Sequence, residues 1–289
     1  MIIDIHAHTS AHRLWGLHTP SADLAELRFY AEEYKIGKII LMATYFPFKG
    51  TGLSNLVLQA RINGDQLFGF FGSLDLSVAQ PEFQELEELA AVGAICGLKI
   101  YPGYQEFHLD DQSKMAVLCG IAQKYALPIA LHLGELHHCC PKDRRAAGQG
   151  RCGRAVCPLD RLGLLAHPYQ LGPLAGSYPD VKFIACHLAN PYFPELRQVM
   201  INHPNIFTDI SGQFVSGSEE DTEVYRRFVV EEILQFLDLP NGIERIMFAT
   251  DFPIQSYRDS LDLIERLGLS AVEREKVLGG NASELLKIS

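Results

Sequence analysis

Apolar and polar positions alternate in blocks along the chain. Eight short apolar runs recur in order: "IIDIHAH", "KIILMAT", "LFGFFGSLD", "AICGLKIY", "PIALHLG", "KFIACHL", "NIFTDIS" and "RIMFATD". Short runs of this kind, bounded by turn residues, predict buried strands. Between them lie longer stretches with apolar residues at helical spacing, such as "SADLAELRFYAEEY", "PEFQELEELAAV" and "SKMAVLCGIAQKY". The repeated unit is strand, loop, helix, loop, which predicts a parallel α/β architecture. Eight such units in 289 residues fit one (β/α)8 TIM barrel. A doubly wound open sheet is the alternative. No GxGxxG or GxxxxGK[ST] fingerprint follows any run, which weighs against it.

Two segments lie outside this rhythm. The tail "SAVEREKVLGGNASELLKI" predicts two extra short helices, with Ser270 as an N-cap and Gly279 and Gly280 as a helix stop. Residues 135–172, after the fifth run, are too long for an ordinary strand-to-helix loop. No linker, repeat or low-complexity tract divides the chain, so 1–289 reads as a single domain carrying this insert.

In a TIM barrel the chemistry sits at the C-terminal ends of the strands. The first run ends in His6 and His8, which are two apart on a strand and so share a face. The fourth carries Lys99, the fifth ends in His132 and the sixth in His187. The seventh carries Asp209 and the eighth ends in Asp251. One such histidine is usually a hydrogen-bonded structural residue, and one such aspartate the cap of the next helix. Four imidazoles and a carboxylate on strands 1, 5, 6 and 8 of one barrel would instead meet at one mouth. That donor mixture suits Zn²⁺, Mn²⁺, Fe²⁺ or Co²⁺. Asp4 has the parity of His6 and is expected one step deeper, held by backbone donors or orienting a ligand imidazole.

Composition then narrows the class. The net charge is −10 and no basic block interrupts it, which argues against nucleic acid or an anionic membrane as partner. No apolar run approaches the ~18 residues of a membrane span. The first predicted strand starts almost at Met1, so no leader is expected and the expected location is cytoplasmic. Of seven cysteines, Cys96, Cys119 and Cys186 sit in apolar contexts and read as buried thiols. Cys139, Cys140, Cys152 and Cys157 crowd the insert beside His137 and His138. They are candidate ligands of a second, structural zinc that staples the loop, with free thiols or a redox-active disulfide as alternatives. Because the insert follows His132, it is expected to be a wall or lid. Lys49, Lys99, Lys142, Arg144, Arg145, Arg151 and Arg154 lie near predicted strand exits, and such a cationic mouth favours a carboxylated small molecule. Tyr45, Phe46, Tyr101, Tyr104 and Phe252 are candidates for an apolar pocket lining or for core.

The order His6-x-His8, His132, His187, Asp251, with the early "DIHAH" and the ending "FATDFP…VLGGNASELL", resembles the metal-dependent amidohydrolase superfamily. The likeness is greatest to its amidohydrolase-2 branch. That branch includes amide and lactone hydrolases and the decarboxylases related to aminocarboxymuconate semialdehyde decarboxylase. The resemblance covers nearly the whole chain except the cysteine-bearing insert. It implies a distorted TIM barrel with one divalent metal ion on His6, His8, His132 and Asp251, zinc before manganese or iron. It places His187 against the substrate, polarising a carbonyl or shuttling a proton. Some lactonases of the branch keep much of this constellation without a metal. Lys99 falls on the strand whose lysine is carbamylated in binuclear relatives, though single-metal members carry a similar G-x-K stretch. Here Lys99 is expected to anchor a substrate carboxylate or to pair with an acid. The expected reaction is hydrolysis of a small carboxylated amide or lactone by metal-activated water, with Asp251 taking the proton. Non-oxidative decarboxylation of an aromatic or unsaturated acid is the alternative. Relatives are often oligomeric, so a homo-oligomer is expected.

Overall fold

Eight parallel strands follow one another in chain order around a barrel. In the computed structural model, which describes residues 1–10, 17–19, 21–45, 53–136 and 159–288, they are β1 (Ile2–Ala7), β2 (Ile36–Met42), β3 (Phe68–Gly72), β4 (Gly97–Ile100), β5 (Ile129–Leu131), β6 (Phe183–Ala185), β7 (Ile206–Asp209) and β8 (Ile246–Met247). Parallel neighbours need a crossover, and helices supply it. Several of these helices are capped by side chains that accept a first-turn N–H: Asp23, Asp111, Thr222 and Ser256. Each strand is buried on both faces, as the continuous apolar runs require. Ile39, Leu41, Leu98, Ile100, Ile129 and Leu131 pack outward in the large core beneath the helices. Ile40, Met42, Phe71, Ala130, Ile184 and Met247 fill the barrel. The predicted TIM barrel is therefore the fold.

The seam between β8 and β1 closes irregularly. Ala7 bridges to Phe252. The N–H of Ile5 donates to the Phe248 carbonyl at 3.3 Å, that of His8 to Phe252 at 2.7 Å, and that of Asp251 to His6 at 2.7 Å. On the other side of β1 the register steps from Asp4↔Ile39 to Ala7↔Leu41, three residues against two. This extra residue is a β-bulge, which re-aims the strand beyond it. Ile3, before the shift, and Ile5, within it, pack inside the barrel, and after it Ala7 packs outward. His6 and His8 therefore turn into the mouth. Asp4 is cut off from their face. Its carboxylate accepts the Thr250 N–H at 3.1 Å, the Thr250 hydroxyl at 2.7 Å and the His6 backbone N–H at 3.1 Å. Of the two expected roles, the backbone-held acid is the one observed.

The C-terminal helices are present. Ser270 forms a capping box with Glu273. The helix Ala271–Glu275 then passes through a π turn, Lys276–Gly280, directly into the helix Asn281–Leu286. Gly279 and Gly280 are thus not a stop. A Cβ on Gly279 would lie 2.0 Å from the Met1 carbonyl oxygen, so the glycine is there to let the tail cross β1. Ala282 and Leu286 join Ile3 and Ile5 inside the barrel.

The four insert cysteines, Cys139, Cys140, Cys152 and Cys157, lie outside the described residues, as do His137, His138, Phe46, Lys49, Lys142, Arg144, Arg145, Arg151 and Arg154. The structural-zinc expectation lies there with them. The flanks of the insert are described. Leu136 on one side and Leu159 and Ala166 on the other pack against Tyr101 and Tyr104.

Candidate active site

Asp251 stands just beyond β8 in a left-handed backbone conformation, φ 54°. For a non-glycine residue that conformation costs about 1–2 kcal/mol, and the hydrogen bond from its N–H to His6 holds it. Its Oδ1 lies 3.1 Å from His8 Nε2 and 3.6 Å from His6 Nε2. Tetrahedral ligands about 2.1 Å from a divalent ion stand roughly 3.4 Å apart, so these separations fit a metal's donor set as well as they fit direct hydrogen bonding. His6, His8 and Asp251 form one of two groups among the described residues whose donor atoms all lie within 4.8 Å. The other is His6, Cys186 and His187. The side chain of His8 is a quarter exposed whereas that of His6 is buried, so the centre opens to solvent on the His8 side.

Behind His6 stands Asp209, at the end of β7. Its Oδ2 lies 3.3 Å from His6 Nδ1. A carboxylate behind a metal-facing imidazole fixes the ring and its tautomer. Its Oδ1 accepts the N–H of His187 at 3.0 Å, the N–H of Ser211 at 3.1 Å and the Ser211 hydroxyl. His187 follows β6 at φ 63°, the first of three consecutive left-handed residues with Leu188 and Ala189. Its Nδ1 lies 2.8 Å from Ser211 Oγ, and its Nε2 lies 3.2 Å from His132 Nδ1. His132 Nε2 in turn lies 3.0 Å from the Glu135 carbonyl oxygen. Of the expected ligands, then, the structure gathers His6, His8 and Asp251. It sets His132 against His187, with both its ring nitrogens engaged. Lys99 is fully buried, donating to Cys186 Sγ at 2.8 Å with its ammonium 5.0 Å from the Tyr101 ring centre. It sits inside the barrel and away from the exposed rim.

Burial governs the charges. It lowers His6 to about 3, helped by the charge of Lys99 and opposed by Asp209. Burial, with His187 and Lys99 nearby, also holds His132 well below the usual histidine value. Burial opposes the charge on Asp251, yet the hydrogen bond from His8 and the neighbouring imidazoles hold its carboxyl well below the usual range. The hydrogen bonds of His6 and Ser211 do the same for Asp209, again against burial. Ionised carboxylates beside neutral imidazoles are the protonation state that a cation requires. Asp4 differs. Burial outweighs its hydrogen bonds and pushes its carboxyl up to about 7.

The sequence reading assigned no role to Asp209 and passed over Ser211, Gly212 and Gln213. The available signal was the polar crowding of "TDISGQ" directly after β7. Gly212 has φ 58°, and a Cβ there would sit 2.8 Å from Asp251 Oδ2 and 3.0 Å from His187 Nδ1. Gln213 Nε2 donates to the carbonyls of His187 at 3.0 Å and Ser211 at 2.9 Å. On the opposite side the rings of Tyr104 and Tyr101 lie 4.9 Å and 6.3 Å from the His132 ring. Phe252 is core, packed with Tyr30 and Tyr257. Tyr45 is half-buried, its hydroxyl accepting the Asn55 N–H at 3.2 Å.

A family model for amidohydrolases of the amidohydrolase-2 type matches residues 3–288. The chain belongs to the amidohydrolase family. Membership indicates an enzyme of the amidohydrolase superfamily. An uncharacterized protein of Sinorhizobium fredii is 29% identical to this amidohydrolase over 129 residues, 40% of this chain and 42% of that relative, so the match spans less than half of either. A zinc-bound amidohydrolase from Burkholderia multivorans superposes with a TM-score of 0.71 at 16% identity, covering 100% of both chains. A probable 2-pyrone-4,6-dicarboxylic acid hydrolase from Acinetobacter baumannii, with citric acid bound, gives 0.67 at 14% identity over 99% of each chain. A dihydroxybenzoic acid decarboxylase from Polaromonas, with manganese and 2-nitroresorcinol, gives 0.68 at 17% identity over 99% of this chain and 97% of that one. At such identities the likeness is one of fold. No described helix of this amidohydrolase is long and apolar enough to cross a membrane.

Proposed function

We propose that the chain is a metal-dependent hydrolase of a small, carboxylated amide or lactone. One divalent ion, zinc foremost, is held by His6, His8 and Asp251, with His132 as the fourth ligand through Nδ1, the nitrogen that faces His187, while its Nε2 stays on the Glu135 carbonyl. The carrying observation is the convergence of His6 Nε2, His8 Nε2 and Asp251 Oδ1 beside His187. The zinc in the Burkholderia structure, and the dicarboxylic acid named for the Acinetobacter protein, support the metal and the substrate class.

A divalent cation at this centre supplies Lewis acidity and a water of lowered pKa, about 7 for zinc. The protein's own groups do the rest. Asp251, through the carboxylate oxygen that does not face His6 and His8, would accept the proton of the attacking water and return it to the leaving amine or alkoxide. His187, whose Nδ1 is engaged by Ser211, meets the substrate carbonyl through Nε2 and stabilises the charge developing on its oxygen. Lys99, fully buried on Cys186 Sγ, does not reach the substrate, but its charge acts on His6 and His132 and favours an anionic group at the centre. Tyr101 and Tyr104, buried beside His132, would form one wall of the site.

The second reading is non-oxidative decarboxylation. The two tyrosine rings beside His132 favour it, since they suit a flat aromatic acid, and the Polaromonas neighbour is such an enzyme. Asp251 or His187 would then deliver its proton to carbon.

The test is a panel of carboxylated lactones, amides and aromatic acids, assayed for water uptake and for CO2 with zinc- and manganese-loaded protein. Ring or amide opening without CO2 is expected. Replacing Asp251 with Asn should lower kcat by about 10²–10⁴-fold, the usual weight of general acid–base catalysis. Release of CO2 would replace the first reading by the second. Full turnover after chelation would overturn both.

A further inference from the structure

Asp209 and Ser211 join two imidazoles that have different tasks. Asp209 Oδ1 accepts from two backbone N–H groups, those of His187 and Ser211, which can only donate. It also accepts the Ser211 hydroxyl. A serine hydroxyl has one proton. With that proton directed at Asp209, Ser211 Oγ can only accept from His187 Nδ1, 2.8 Å away. The Ser211 carbonyl, 3.2 Å from the same nitrogen, is a second acceptor. His187 therefore carries its proton on Nδ1, and its Nε2 meets His132 Nδ1, 3.2 Å away, lone pair to lone pair, because His132 Nε2 must donate to the Glu135 carbonyl. The other oxygen of Asp209 faces His6 Nδ1 at 3.3 Å, and Ser211 Oγ lies 3.3 Å from the same nitrogen. That places a proton on His6 Nδ1 too and leaves Nε2, the atom turned towards Asp251, with its lone pair free.

We propose that Asp209 and Ser211 are positioning residues that set the tautomers of both rings. Asp209 presents His6 to the metal through Nε2. Ser211 Oγ accepts a hydrogen bond from His187 Nδ1–H and so leaves the Nε2 lone pair, on the side of His132 Nδ1, for the substrate. The two elements that carry these rings, β1 and the turn after β6, touch the same carboxylate, so metal ligation and proton transfer are aligned by one residue. Gly212 and Gln213 fix the loop that carries Ser211. Gly212 has no side chain to push Asp251 and His187 apart, and Gln213 donates to the carbonyls of His187 and Ser211. The inference rests on the metal-dependent reading above.

The test compares wild type, Asp209→Asn, Asp209→Glu, Ser211→Ala and Ser211→Thr in two measurements. One is zinc affinity by competition with a chromophoric chelator. The other is the ring ¹⁵N spectrum of histidine-labelled, zinc-free protein, which reports each tautomer directly. Asp209→Asn should weaken zinc binding by about 10–100-fold, the usual effect of removing such a partner. It should also move His6 away from the Nδ1–H form. Asp209→Glu should recover part of the affinity. Ser211→Ala should weaken zinc binding less than Asp209→Asn does and alter the His187 signal, and Ser211→Thr should restore that signal. An Asp209→Asn protein that binds zinc like wild type would overturn the proposal while leaving the metal reading intact. So would a wild type whose His6 carries its proton on Nε2, which also decides the matter should Asp209→Asn not fold. If wild type binds no zinc but shows the stated tautomers, the metal reading falls and the tautomer assignment stands.

Discussion

Gly212 shows how much of this site is decided by single positions. Its backbone is left-handed, and a Cβ would press on Asp251 and His187 together. Gly212→Ala should cost about 1–2 kcal/mol of stability for the backbone alone. Its larger effect should be on kcat, at least tenfold, because both catalytic side chains must move. A melting curve and a steady-state assay on the same sample separate the two effects. An unchanged kcat would mean that neither side chain needs its observed place. At this scale the sequence was informative about what could ligate and silent about what orients. His6, His8, His187 and Asp251 were legible because imidazoles and carboxylates are rare at the ends of buried strands. Asp209 was visible as the same residue type, yet its contact to His6 spans 203 positions of sequence and follows only from the closed barrel. The engagement of His132 with His187 was hidden for the same reason.

At the level of elements, strands and helices were legible from periodicity, and the departures from it were not. The bulge between Asp4 and Ala7 cannot be read from alternation, because alternation is what it breaks. The paired glycines in the tail looked like a helix stop. The close approach of Met1, at the far end of the chain, gives Gly279 another purpose. The loop after β7 is held by a similar long-range device. Arg226, on the helix Glu223–Leu237, donates to Asp221 at 2.7 Å, to Asp259 at 2.8 Å and to Asp262 at 3.2 Å, with its guanidinium 4.8 Å from the Phe214 ring centre. Burial opposes the charge on Asp259, but the hydroxyls of Ser216 and Ser256 and then Arg226 hold its carboxyl below its ordinary value. A carboxyl depressed in the folded state stabilises above its unfolded pKa, about 3.9, and loses that contribution as pH falls through the folded value. Asp259→Asn should therefore lower Tm at pH 7, and the gap to wild type should close below about pH 4. Melting of metal-free protein between pH 7 and 3 checks this. A gap that does not narrow at all as pH falls below about 4 would assign the loss to packing and not to charge.

At the scale of the whole molecule, the barrel was legible because eight apolar runs spaced by amphipathic helices leave few other ways to bury both faces of every strand. The substrate was not, since one scaffold serves many reactions and its loops decide among them. The cations expected at the mouth fall mostly in residues 46–52 and 137–158, outside the described structure. A ligand that binds only the folded barrel must stabilise it. Zinc at 100 times its Kd should add about 2.7 kcal/mol, seen as a higher Tm that a chelator reverses. His8→Ala should abolish that shift. The central claim is that His6, His8 and Asp251 hold one divalent ion, and elemental analysis of protein purified without added metal or tag tests it most directly. Wild type should contain one equivalent of zinc, manganese or iron per chain, lost in His8→Ala and Asp251→Asn and kept when Cys152 is replaced by alanine. Metal-free wild type with full activity, or metal that stays in both site variants and leaves with Cys152, would contradict it.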